Sequence, residues 1–387
     1  MSQETKNQKP KTSIDFANLQ HQHNLYKEEI EEAILKVARD CNFIMGSQID
    51  ELERNLEKFT GSKYAISCSS GTDALLLAMM ALDIQPDDEI ITTPFTFFAT
   101  AETIAFLKAK PVFVDIDEKT YNIDPKKIEE KISSKTKAII PVSLYGQPCD
   151  MDEINQIAKK YNLKVIVDGA QSFGSTYKGI SDSNLGDISC TSFFPAKPLG
   201  CYGDGGALFT NDEKLADKIK SLRLHGQSIR YHHQYIGMGG RLDTIQAAVL
   251  NVKLKYYEKD LKLRQDVAAK YTKALNSKNI ETPFVKSDRT SAWAQYSIRV
   301  QNRTEVQTKL QNLGIPTAVH YPMPLHVQEC FKYLNLKEGD FPISEKVSKE
   351  IMSLPMNPYV SDEEIEFISN SLNEIAFIIF NEREIEV

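Results

Sequence analysis

An α/β fold built on a mainly parallel sheet is what this sequence predicts, and three observations predict it. Between about Lys63 and Asn211 short β-branched runs, IITT, PVFVDI, AIIPVSL and VIVDGA, alternate with amphipathic helical patterns such as Met151 to Tyr161, the mark of βαβ units. From Gly240 to Ser277 breakers are few and apolar residues recur at helical spacing, which predicts one long helix or two in succession leading to a second unit. The chain's 387 residues allow a large core and two domains.

Taken in order, the first eleven residues, MSQETKNQKPK, are polar and predict a disordered tail, placed at 1–12. A large domain is expected over 13–245. Its stretch Tyr64 to Leu75 reads as a short apolar strand followed by small polar residues, and then comes the helix-period run Leu75 to Met80. The second domain, 246–387, is expected to be entered through the long helix. Beyond Pro283 the order strand at Tyr296–Val300, helix at Glu305–Leu313, strand at Thr317–His320 predicts a smaller C-terminal α/β unit. A terminal helix near Glu363–Phe380, apolar on one face, should dock on it. No internal repeat or low-complexity tract is present.

Charge and cysteine content narrow the class. With 46 Lys+Arg against 53 Asp+Glu the net charge is −7, which leaves no electrostatic footprint for nucleic acid. The six cysteines, Cys41, Cys68, Cys149, Cys190, Cys201 and Cys330, show neither metal-ligand nor disulfide spacing and read as reduced thiols of a cytoplasmic protein, with no metal site expected. The apolar run Ala74–Leu82 is too short to cross a bilayer, and no segment reads as a signal peptide.

Three segments carry chemistry. In Ser192-Phe193-Phe194-Pro195-Ala196-Lys197-Pro198-Leu199-Gly200 a lysine sits among apolar residues before a glycine-rich turn. Such a lysine is poorly solvated, which favours the neutral amine that attacks an aldehyde; pyridoxal phosphate (PLP) is the obvious one. By itself the lysine could equally be a surface charge beside a loop. The run Val165-Ile166-Val167-Asp168-Gly169-Ala170 reads as a buried parallel strand delivering a carboxylate at its C-terminal end, where open α/β sheets place ligands. There Asp168 could hold a pyridine nitrogen protonated. In Ser67-Cys68-Ser69-Ser70-Gly71-Thr72 small residues open a helix whose first amides and dipole suit a phosphate, although a helix capped by Ser70 or Thr72 would look the same. A phosphate seat, a pyridine partner and a Schiff-base lysine, in that order, point together to PLP.

The chain resembles the DegT/DnrJ/EryC1/StrS family of PLP-dependent sugar-nucleotide aminotransferases from about Ile14 to about Tyr359. The resemblance is carried by GSQIDELE (Gly46–Glu53), SSGTDAL (Ser69–Leu75), PFTFFATAET (Pro94–Thr103), DGAQSFG (Asp168–Gly174), the lysine segment, HGQSIRYHH (His225–His233), GRLDTIQAA (Gly240–Ala248) and PTAVHYPMPLH (Pro316–His326). It implies PLP fold type I and a homodimer with shared active sites. Lys197 would form the Schiff base and shuttle the proton, Asp168 would bond the pyridinium and Gln171 the ring hydroxyl. Ser192, Gly71 and Thr72 would hold the phosphate, and Phe97, with Phe95 as fallback, would lie against the ring; core packing is the alternative for both aromatics.

On the substrate side, Arg241 resembles an arginine that reaches the neighbouring subunit's site, where its fork suits a carboxylate or pyrophosphate; a surface ion pair is its alternative. His320 and Tyr321 match a substrate-side His-Tyr-Pro segment, or simply a strand end. His225, His232 and His233 sit in a polar loop that could order over the nucleotide. Where many relatives have an asparagine two residues before the arginine, this chain has Gly239, so that side-chain contact is absent.

The expected activity is transfer of an amino group from L-glutamate to a nucleotide-linked keto-sugar. The nearest resemblance is to enzymes that aminate C3 of UDP-2-acetamido-2-deoxy-3-oxo-glucuronate for surface glycans. Amination at C3 or C4 of a UDP- or dTDP-linked 6-deoxy keto-sugar is the alternative. Sugar dehydration on the same scaffold would put histidine where this chain has Lys197. A non-catalytic regulator would not need the full set of cofactor residues.

Overall fold

The computed structural model describes residues 14–384; the tail expected at 1–12 lies outside the described residues. Runs of Ile and Val make the central sheet because branched side chains fill both faces of a buried strand. Its members are β1 (Tyr64–Cys68), β2 (Glu89–Thr92), β3 (Lys110–Phe113), β4 (Thr136–Ile139) and β5 (Lys164–Asp168). After a small hairpin, β6 (Thr176–Tyr177) and β7 (Ile180–Ser181), follow β8 (Ile188–Ser192) and β9 (Gly206–Thr210). The order across the sheet is β1-β9-β8-β5-β4-β2-β3. β9 pairs antiparallel with both β8 and β1, and the other pairings are parallel, as the alternation of runs predicts.

Helices cover both faces. On one, Ile66, Ile140, Ile166 and Ile188 pack with Leu75 and Leu77 of the helix Gly71–Ala81 and with Ile219 of the helix Glu213–Arg223. On the other, Ile139, Val165 and Val167 pack with Ile154 and Ile157 of the helix Met151–Tyr161. Neighbouring residues of β5 thus go to opposite cores, the period-two pattern of a strand buried on both sides.

The expected long helix is two, Thr244–Leu254 and Tyr257–Ala274, preceded by the exposed hairpin of β10 (Gln227–Ile229) and β11 (His232–His233). Ala247 and Leu250 belong to the core around Phe193 and Phe209, whereas Val267 and Tyr271 enter a separate core with Ile298, Met352 and Leu372. That second core lines an antiparallel sheet of β12 (Ile280–Glu281), β13 (Tyr296–Val300) and β14 (Ile351–Leu354), and the terminal helix Asp362–Glu384 packs on it. The strand expected at Thr317–His320 is reduced to one bridge, Ala318 to Ser353. Pro316 lacks an N–H to donate and Pro322 and Pro324 turn the chain away, so no ladder can extend. The second unit is tied to the sheet's edge: Asp115 accepts from Ser344 N–H at 3.0 Å and Ser344 Oγ at 2.6 Å, and Arg299 bridges Glu350 and Glu118.

Candidate active site

The C-terminal ends of β1, β5 and β8 converge on a cavity of about 490 Å³ whose lining includes Gly71, Thr72, Phe97, Asp168, Gln171, Ser192, Lys197, His320 and Tyr321. These nine residues, all read from sequence as candidates, therefore meet in one place; Arg241, Phe95, His225, His232 and His233 do not line it.

The seat at the end of β1 is made by backbone. Ser70 caps the helix Gly71–Ala81, its Oγ accepting from Asp73 N–H at 3.0 Å, which leaves the Gly71 and Thr72 amides without an acceptor inside the helix. The approach of β8 leaves no room for a side chain at Gly71: a Cβ there would lie 2.6 Å from Ser192 Cβ. Ser192 Oγ accepts from Phe194 N–H at 3.3 Å. Open amides at a helix N-terminus, backed by a hydroxyl, make an anion seat.

Asp168 ends β5 and is 5% exposed. Its Oδ2 accepts from Thr100 Oγ at 2.8 Å and its Oδ1 from Ala170 N–H at 3.2 Å. Burial raises its pKa, while these two donors and the Lys197 ammonium oppose the rise. Lys197 stands in a turn closed by its own N–H to the Phe194 carbonyl at 2.8 Å. Burial lowers the Lys197 pKa and Asp168 opposes that shift. Each thus helps to keep the other charged, yet burial eases the lysine toward the neutral amine that nucleophilic attack needs.

Gln171 is used at both ends: its Oε1 accepts from Tyr145 N–H at 2.7 Å and its Nε2 donates to Tyr321 Oη at 3.1 Å. Burial pushes the Tyr321 phenol upward, so it stays protonated. Tyr145 Oη donates to the His320 carbonyl, which ties the His320–Tyr321 segment to the turn after β4. His320 Nδ1 pairs with Ser353 Oγ at 3.0 Å; burial, with the Lys197 charge second, brings its pKa to about 4, so the ring is neutral near pH 7. Of the two aromatics considered, Phe97 lies at the cavity and is 54% exposed, whereas Phe95 is fully buried in the core.

Arg241 is half-buried outside the cavity. Gly239 beside it has its space filled: a Cβ there would lie 3.1 Å from the His225 ring. His225, His232 and His233 are exposed and none lines the cavity. Cys201 packs, its thiol donating to the Phe193 carbonyl at 3.1 Å. Among the described residues no cluster of His, Cys, Asp and Glu could hold a metal ion.

Sequence reasoning missed Thr100, which sits three residues beyond Phe97 in the same motif and so one helical turn away, a legible signal. It also missed Gln295, which lines the cavity and whose Oε1 is buried without a hydrogen-bond partner; no local pattern marks it. An anion seat, a buried carboxylate, an amide, an exposed aromatic face and an amine around one cavity form a donor set that fits PLP.

The model of the DegT/DnrJ/EryC1/StrS aminotransferase family matches residues 24–373. The chain is 50% identical over 359 residues to the UDP-2-acetamido-2-deoxy-3-oxo-D-glucuronate aminotransferase of Pseudomonas aeruginosa, covering 93% of this chain and 99% of that protein. It is 43% identical over 365 residues to a pleiotropic regulatory protein of Geobacillus stearothermophilus, covering 94% and 98%. The crystal structure of ntda from Bacillus subtilis with bound cofactor PMP superposes with a TM-score of 0.88 at 31% identity, covering 96% of this chain and 87% of that one.

Proposed function

The chain belongs to the DegT/DnrJ/EryC1/StrS aminotransferase family, and on that premise we propose how its residues carry out sugar-nucleotide transamination. The protein is a PLP-dependent aminotransferase of fold type I acting on nucleotide-linked keto-sugars. The observation that carries this reading is the placing of Lys197 and Asp168 on one cavity with the Gly71–Thr72 anion seat. When bound, PLP supplies an electron sink for the carbon that gains or loses the amine.

The remaining chemistry belongs to side chains. Gly71, Thr72 and Ser192 would hold the phosphate, Gln171 the ring hydroxyl, and Phe97 the face of the ring. Asp168 would take the pyridine N–H on a carboxylate oxygen and keep that proton in place. Lys197 would hold the cofactor through Nζ, and as a free amine it would move the proton at the reacting substrate carbon. His320, neutral, and Tyr321, protonated, close the substrate side and limit water.

The substrate we assign is UDP-2-acetamido-2-deoxy-3-oxo-glucuronate, aminated at C3 with L-glutamate as donor. The half-identical Pseudomonas aeruginosa relative supports it. Both reactants are anionic, while Lys197 is the one Lys or Arg lining the cavity among the described residues. A second copy, bringing Arg241, supplies the missing cation in a homodimer. The apolar residues Ile229, Tyr231 and Ile236 near the hairpin, 71%, 75% and 95% exposed, give such a contact its buried surface. Among the described residues no helix is long and apolar enough to cross a membrane, and we place the enzyme in the cytoplasm.

Two measurements test the reading. Lys197→Ala should lose the absorbance of the bound cofactor and all turnover; retained turnover rejects it. Release of 2-oxoglutarate from glutamate with a panel of UDP- and dTDP-keto-sugars should be fastest with the 3-oxo-uronate. A preference for a 6-deoxy sugar would overturn the substrate, and no transfer with any sugar would favour a regulator.

A further inference from the structure

Lys253, on the helix Thr244–Leu254, is 4% exposed. Its ammonium donates to the Gly200 carbonyl at 2.7 Å and lies 4.8 Å from the centre of the Tyr202 ring. No carboxylate among the described residues is ion-paired with it, and Cys201 and Asp260 only oppose the effect of burial on its pKa. Burial without such a partner lowers its pKa to about 8. A buried lysine served only by a carbonyl and a π face is costly.

What the ammonium grips is the turn behind Lys197. That turn has no slack: a Cβ at Gly200 would lie 2.4 Å from the Pro195 carbonyl oxygen and 2.7 Å from that of Phe194. Cys201 N–H donates to the Phe193 carbonyl at 2.8 Å, and Lys197 N–H to that of Phe194 at 2.8 Å. Two helical turns before Lys253, Gln246 Oε1 accepts from Tyr202 N–H at 2.8 Å. Just ahead of the helix, the Gly240 carbonyl accepts from Ser69 N–H at 3.0 Å, at the edge of the anion seat. One stretch of chain therefore braces both the seat and the lysine turn.

We infer that Lys253 is a positioning residue: through the Gly200 carbonyl it sets where the Lys197 amine stands relative to Asp168 and the anion seat. The inference rests on the role proposed for Lys197. Displacement of a reacting group by an ångström is enough to weaken its reaction strongly.

The test is titration of cofactor-free protein with PLP, following the bound chromophore and the pH midpoint of its absorbance, beside thermal unfolding. Lys253→Met should bind PLP about tenfold more weakly and move the midpoint by about half a unit, while Lys253→Arg, which can still donate to the carbonyl and stack on Tyr202, should return both to near the unaltered values. Wild-type affinity and midpoint in Lys253→Met, whatever its loss of thermal stability, overturns the inference. If that variant does not fold, Gln246→Ala loosens the same turn without touching the buried charge, and about a threefold weakening is expected; unchanged binding there overturns it equally. Lys197→Ala in the same titration separates the two claims. A chromophore that survives refutes the role of Lys197, whereas one lost there and unchanged in Lys253→Met refutes the positioning role alone.

Discussion

The two walls of the cavity differ in how much of their polar surface is already used. On the sheet wall both Asp168 oxygens have donors, Gln171 is bonded at both ends and Ser70 caps its helix. On the rim, Gln295 Oε1 is buried without a partner, Phe194 is 51% exposed and Arg241 stands outside altogether. The sheet wall is finished by folding, because strand ends and helix starts fix their own side chains. The rim is bonded by folding at His320 and Tyr321 and left open at Gln295, for what binds there. Preorganisation on one side and open valence on the other suit an enzyme that keeps its cofactor and exchanges its substrates.

If that contrast holds, changes on the sheet wall should damage chemistry and cofactor binding, and changes on the rim should affect substrate affinity alone. Asp168→Asn is the severest trial: it keeps the shape and removes the charge, and kcat should fall by about 10²-fold or more. A loss confined to KM would erase the distinction between the walls. Gly71→Val drives a side chain into Ser192 and should cost about 1–3 kcal/mol of overpacking; equilibrium titration should show weakened PLP binding, and unaltered affinity would mean the seat is elsewhere. Gln295→Leu should raise KM for the sugar by about three- to tenfold with kcat nearly kept, the loss of one hydrogen bond. A fall in kcat instead would move Gln295 to the sheet wall.

The mildest trial is acid stability. Burial holds the folded-state pKa of His320 at about 4, below its ordinary 6.5, so as pH falls through that window the unfolded chain takes up the proton first. Stability contributed by the neutral ring is complete above the ordinary value and is lost as pH drops toward the lowered one. His320→Gln should therefore lose less thermal stability than the unaltered protein between about pH 7 and 5. Parallel curves would show that the ring is not held neutral.

Much of the sheet wall is legible in one dimension because its parts are local. VIVDGA is at once a strand and the carboxylate at its end, and SSGTDAL is at once a cap, a helix start and two open amides. Even Thr100 could have been found by counting one turn from Phe97. The rim resists because it is assembled from segments far apart in the chain: Tyr145 Oη to the His320 carbonyl, Gln171 to Tyr321. The Thr317–His320 stretch reads as a strand by its residue types, yet prolines on either side leave it a single bridge. Local preference names the conformation, and the availability of N–H donors decides whether it is realised.

Residue order alone determined the alternation of strand and helix and marked Lys197, Asp168 and Gly71 as candidates for the site, since each depends on neighbours within a few positions. Only the folded chain decided that Gln295 faces the cavity, that Arg241 does not, that the His225 ring fills the space at Gly239, and that Lys253 grips the turn behind Lys197. Those relations depend on how helices and sheets close over one another, where close packing brings together residues far apart in the chain, as for Gln171 with Tyr321 and Tyr145 with His320 at separations of 150 and 175.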